Sequence, residues 1–202
     1  MSRELVRKIV EAEWEMFDQV NGGSGQRASC QEDSKTFYIM RSSQALAWTE
    51  ELQESYWQDL LNAKAAGRNL LTEKYARMME STDPIAFERI RGRLPDVEEE
   101  TLAKIEEIVS VHLRWKLETF RKFPHLTAHG RSFYTRDDTK YNTSFETYLR
   151  GELRTYSAAT IDLYQKMVQE LVATGENLEQ KYLLETVRQY GYDSLEQAES
   201  LN

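Results

Sequence analysis

A chain of 202 residues is long enough to bury one substantial core, and 40% hydrophobic with 30% charged residues fits a globular protein rich in amphipathic helices. The formal net charge of -8 argues against general nucleic-acid affinity, because phosphate backbones require a concentrated positive field. Cys30 is the single cysteine, so no internal disulfide can form. The opening SRELVRKIVEAEWE lacks the apolar stretch of a secretion signal, and no run approaches the roughly 18 apolar residues of a membrane span. The expectation is one cytoplasmic domain over residues 1–202, with no membrane partner. Three prolines and nine glycines are too few for the frequent turns of a sandwich, so the fold class expected is all-α, a bundle of about seven to nine helices.

Residues 3–20 predict a first helix with a stripe of Val6, Ile9, Val10, Phe17 and Val20. Glu13 sits inside that stripe. NGGSGQR, residues 21–27, then breaks the helix and reads as a connector or a close approach to a ligand. A second helix starts near Asp33 or Ser34 and runs past Trp48, placing Phe37, Arg41, Gln44 and Trp48 on one face. Thr49 followed by two glutamates favours a new start there, and Gly67 stops that segment.

Asn69 caps LLTEKYARMMEST, with Leu71, Tyr75, Met78 and Met79 as its apolar side and Glu73–Arg77 as an i,i+4 pair. Asp83-Pro84 opens a short helix. Pro95-Asp96 restarts another that carries Ile105, Ile108 and Val109 toward Phe120 and ends before Pro124. Residues 124–143 have no clear period, and a loop of that length is usually functional or mobile. The central stretch is 144–174, read as one helix. Ser144 can cap it, Thr143 with Glu146 has capping-box spacing, and Gly175 stops it. Glu152 lies on its apolar stripe between Leu149 and Tyr156. Asn177 with Gln180 opens a penultimate helix, and Asp193 with Glu196 caps a last turn.

Three blocks, EWEMFDQVNGGSGQRASCQEDSKTFYIMRSSQ, GRNLLTEKYARMME and TSFETYLRGELRTYS, resemble a bacterial family known only as a domain of unknown function. The resemblance covers nearly the whole chain and implies a bacterial cytosolic protein. It brings no activity, cofactor or catalytic residue. The first glycine loop is slightly longer here than in the family's usual form.

Metal and nucleophile chemistry find little support. None of His112, His125 or His129 has a glutamate three positions before it, as a carboxylate-bridged metal pair in a bundle requires. His125 and His129 have helical ligand spacing but sit beside Pro124 and Gly130, so no metal site is expected. Cys30 has Arg27 nearby but no adjacent base, and a small buried cysteine is the simpler account. The glycine loop lacks the Gly-Lys-Ser/Thr ending of a phosphate loop, and no cofactor is expected. Arg27 with the glycines is a simpler anion site, and Gly130-Arg131 repeats the pairing. Arginines capping helix-end carbonyls would explain both.

What remains is polar groups on apolar stripes. If the faces bearing Glu13, Arg41, Gln44, Glu152 and Tyr156 meet, they line a pocket with two carboxylates and a guanidinium. Glu152 and Glu13 would be the acid–base candidates, and Arg27, Arg41, Gln44, Tyr156 and Arg131 the ligand-binding ones. The competing account is a buried salt-bridge network fixing helix register. The expected function is therefore binding of a small polar or anionic metabolite, with or without catalysis. The alternative is a helical interaction module acting with a protein partner or as a homo-oligomer. Glu146–Arg150 reads as a surface pair, and Arg154 continues its row.

Overall fold

The computed structural model describes residues 3–20 and 31–201, so the glycine-rich loop, Arg27 and Cys30 lie outside the described residues. Eleven α-helices and no strands occur among those described. They are α1 (Arg3–Asp18), α2 (Ser34–Leu46), α3 (Glu50–Ala65), α4 (Leu70–Thr82), α5 (Pro84–Ile90), α6 (Glu99–Lys122), α7 (Pro124–Thr127), α8 (Phe145–Leu153), α9 (Ala158–Thr174), α10 (Leu178–Gln189) and α11 (Leu195–Leu201).

Short polar side chains start most of these helices by accepting an otherwise orphaned backbone N–H. Asp33 takes the N–H of Thr36, Thr49 that of Leu52, Asn69 that of Thr72, Asp83 that of Ala86 and Asn177 that of Gln180. At the ends of α3 and α9, Gly67 and Gly175 adopt φ of 66° and 71°. Arg68 and Glu176 then donate their N–H back to Ala63 and Leu171, closing the last turn. The break at Thr49 thus divides 34–65 into two helices.

Four expectations need correction. The stretch 144–174 is two helices, not one. Arg154 to Ser157 turn the chain, and Ser157 caps α9 by accepting from the Thr160 N–H. This break and the single turn of α7 raise the helix count above the expected range. Thr143 and Glu146 form no capping box: Ser144 caps α8, while Glu146 accepts from the Thr135 N–H at 2.7 Å. Glu73 pairs with Arg68 at 2.8 and 2.7 Å rather than with Arg77. The last helix is capped by Ser194, whose hydroxyl accepts from Gln197, not by Asp193.

The body is built by α1 packing on α2, α3 and α4, with α8 laid across α4 and α6, and α9 across α3 and α6. One large apolar cluster runs through it, including Ile9, Phe17, Leu52, Leu60, Ile105, Ile108, Leu153 and Ile161. A separate small cluster, Phe123, Val187, Leu195 and Ala198, fastens the C-terminal helices. Gly151 sits where α8 crosses α4. A Cβ there would stand 3.1 Å from Met78 Cγ and 3.2 Å from the Lys74 carbonyl oxygen, so the close crossing depends on glycine.

Candidate functional site

The apolar stripes carrying Glu13 on α1, Arg41 on α2 and Glu152 on α8 do meet. Arg41 donates from Nε to Glu13 Oε2 at 2.8 Å and from Nη2 to Glu13 Oε1. Its Nη1 serves Glu152 Oε1 at 2.9 Å and Gln44 Oε1 at 2.5 Å. Tyr156 donates to Glu152 at 2.9 Å, and Tyr56 donates to Glu13 at 2.7 Å. Lys74, from α4, holds the remaining Glu152 oxygen. Five of the expected residues, Glu13, Arg41, Gln44, Glu152 and Tyr156, therefore share one centre.

This centre is closed. Glu13 is 1% exposed, Lys74 2% and Glu152 7%. Two carboxylates face two cations, so the buried charges cancel. Burial pushes the Glu152 carboxyl up, but Arg41 and Lys74 overcome it and hold the group at about 2. Burial likewise opposes the charge on Arg41, yet Glu13 and Glu152 together raise it well above its ordinary range. Arg131 lies apart on the exposed loop, donating to the Thr143 carbonyl at 3.1 Å with its guanidinium 4.5 Å from the centre of the Tyr148 ring. Lys74 touches that same ring at 3.5 Å.

Lys74, Tyr56 and a second buried network around His112, which is 0% exposed, went unread although each lies at helical spacing on an apolar stripe: Lys74 between Leu71 and Met78, Tyr56 between Leu52 and Leu60, and His112 between Ile108 and Trp115. His112 Nδ1 lies 2.7 Å from Glu179 Oε1, and its Nε2 lies 3.1 Å from the Tyr164 hydroxyl. Tyr164 in turn meets Tyr182 at 3.0 Å, which accepts from the Trp48 indole at 2.8 Å. Burial raises Glu179, but Lys116 and His112 more than reverse this and keep it ionised. Because the carboxylate only accepts and the indole only donates, one order satisfies every group: Trp48 to Tyr182, Tyr182 to Tyr164, Tyr164 to His112, His112 to Glu179.

A third feature is an open groove of about 550 Å³ between α4, α6 and α8. Arg77, Glu80 and Ser81 form one wall, and Arg150, Gly151 and Arg154 another. Arg150 is fully engaged, donating to Glu106 at 2.7 and 2.9 Å and to Glu146 at 2.8 Å. Arg154 donates to Glu80 at 2.6 Å, while its Nε is buried without an acceptor. Arg77 is 6% exposed and, among the described residues, bonds only the Pro95 carbonyl, at 2.6 Å, with its Nε buried and unmatched there. No described carboxylate forms an ion pair with it, since Glu73 is taken by Arg68 and Glu80 by Arg154. Burial, then the like charge of Arg154, pulls the Arg77 guanidinium below its usual range.

Thr135, Thr147 and Ser81 line the far end. Asp138 accepts there from the hydroxyls of Ser81 and Thr147 and from the Ser144 N–H at 2.6 Å. Burial raises its carboxyl, but these hydrogen bonds outweigh that and lower it. The 124–143 segment is thereby tied to the start of α8, and His125 and His129 stay on its exposed side. The described residues contain no group of three or more His, Cys, Asp or Glu able to hold a metal ion. None of their helices is long and apolar enough to cross a membrane.

Comparison with curated proteins and with solved structures finds no match to either. A family model does match, over residues 3–200, and on that span the chain belongs to the family described as protein of unknown function (DUF4125).

Proposed function

We propose that this protein binds a small oxyanion, and that the groove between α4, α6 and α8 is where it binds. The observation that carries the reading is Arg77. A buried cation that no described carboxylate touches is costly, and an anionic ligand supplies a contacting partner. Arg154, also with an unmatched Nε, stands close enough to add to the same positive field. The groove volume of about 550 Å³ suits a metabolite rather than a macromolecule. The family resemblance implies a bacterial cytosolic setting for this binding.

In this reading the Glu13–Arg41–Glu152–Lys74 centre anchors helices rather than moving protons. A general base works best with a pKa near the operating pH, and Glu152 at about 2 with both oxygens engaged is far from that. The function is binding without acid–base catalysis at that centre.

Isothermal titration of the full chain with phosphate, sulfate and citrate at neutral pH tests the proposal. At least one should saturate a single site, and Arg77→Met should weaken it tenfold or more, as loss of a charged hydrogen bond implies. Unchanged affinity in Arg77→Met, or no saturable binding of any of the three, overturns it.

A further inference from the structure

The two ends of the groove differ in hydrogen-bonding sense, which specifies the ligand further. Asp138 is an ionised acceptor, so the hydroxyl protons of Ser81 and Thr147 point to it. Thr147 has then spent its single proton. The 2.9 Å contact between Thr135 and Thr147 must therefore be Thr135 donating. Arg150 Nη1 donates to the Thr135 oxygen at 3.1 Å. All three hydroxyl protons are committed inward, and what Ser81 and Thr135 have left is oxygen lone pairs.

The opposite end is the reverse. Arg77 and Arg154 carry only donors, and the buried Nε of each has no acceptor among the described residues. The two ends are marked by Thr147 in α8 and Arg154 just past its last residue, seven residues apart, or about 10 Å of helix rise. A bare oxyanion occupies only the arginine end.

Resting on the oxyanion reading above, we infer that the groove takes an oxyanion joined to a hydroxyl-rich body, the chemistry of sugar phosphates and sugar acids. The head would accept from Arg77 and Arg154. Hydroxyls of the body would donate to Ser81 and Thr135. No bond is made or broken in this proposal; it concerns recognition alone.

The test uses the full chain and three probes in titration calorimetry. Methyl phosphate has the head alone, glucose 6-phosphate has a phosphate head with a hydroxylated body, and gluconate replaces the phosphate with a carboxylate. At least one hydroxylated probe should bind tenfold or more tightly than methyl phosphate, and which one does so separates the phosphate from the carboxylate class. Thr135→Val should remove the gain over methyl phosphate measured in the same variant, whereas Thr135→Ser, which keeps the oxygen, should retain it. A fold check by circular dichroism accompanies each variant.

If methyl phosphate binds in an Arg77-dependent way but neither hydroxylated probe gains, this inference fails and the oxyanion reading stands. A gain that survives Thr135→Val also overturns it. If none of the probes binds, both fall.

Discussion

Lys74 and Arg77 sit three residues apart on α4, both buried, and their surroundings are opposite. Lys74 faces inward to Glu152 in a centre where two cations meet two carboxylates. Arg77 faces the groove with a carbonyl and no described carboxylate in contact. The contrast shows how to read buried charge. A closed, neutral set with every oxygen engaged is complete as it stands, and it fixes how four helices sit together. A buried guanidinium left over is incomplete, which is the electrostatic signature of a place for something else.

The comparison can be broken most sharply at Arg41. Arg41→Met strands Glu13 and half of Glu152 in the interior, so chemical denaturation should show a loss of about 3–5 kcal/mol, or no folded protein. If the loss is under about 1 kcal/mol, the centre is not the anchor described.

Acid provides the next largest effect. Glu152 is depressed from its ordinary value to about 2, so its contribution is fully present above the unfolded-state pKa. It fades as pH falls from about 4.5 toward 2, by on the order of 3 kcal/mol. Denaturation midpoints at pH 6, 4 and 3 should fall accordingly, and Glu152→Gln should flatten that slope. An unchanged slope in the variant would mean the acid sensitivity lies elsewhere.

Gly151→Ala tests the crossing that both regions share. Better helix propensity favours alanine by about 1 kcal/mol, but its Cβ presses on the Lys74 carbonyl, a backbone atom that cannot swing away. A net loss of about 1 kcal/mol is expected, together with weaker anion binding as α8 shifts. Smallest of all should be the stability change in Arg77→Met. Removing an uncompensated charge offsets the lost Pro95 hydrogen bond, so thermal unfolding should shift by no more than about 1 kcal/mol either way. A large loss there would place Arg77 in the same class as Arg41.

Much of the fold was legible because helix starts in this chain use short polar caps at Asp33, Thr49, Asn69, Asp83 and Asn177. The turn at 154–157 was not. It contains neither glycine nor proline, and Leu153, Tyr156 and Thr160 are buried before, within and after it, so the apolar rhythm continues across the break. Glu13, Arg41 and Glu152 were legible because each interrupts an apolar stripe. Lys74 interrupts a stripe in the same way, three from Leu71 and four from Met78, and went unread; Arg77 was not legible, since it flanks that stripe on one of the sides that look solvent-facing. Packing of α4 against both α1 and α8 buries those sides, which is a tertiary fact with no local periodicity. The groove likewise draws on three helices and a loop, and Glu73 four residues before Arg77 suggested a pair that Arg68 forms instead.

The hydrogen-bonded line from Trp48 to Glu179 also turns the interior into a clock. Its hydroxyl proton on Tyr164, 2% exposed and donated to His112, can trade with solvent deuterium only when the packing of α6, α9 and α10 around it opens. The exchange lifetime of that single proton therefore times how often those helices part, without any added label.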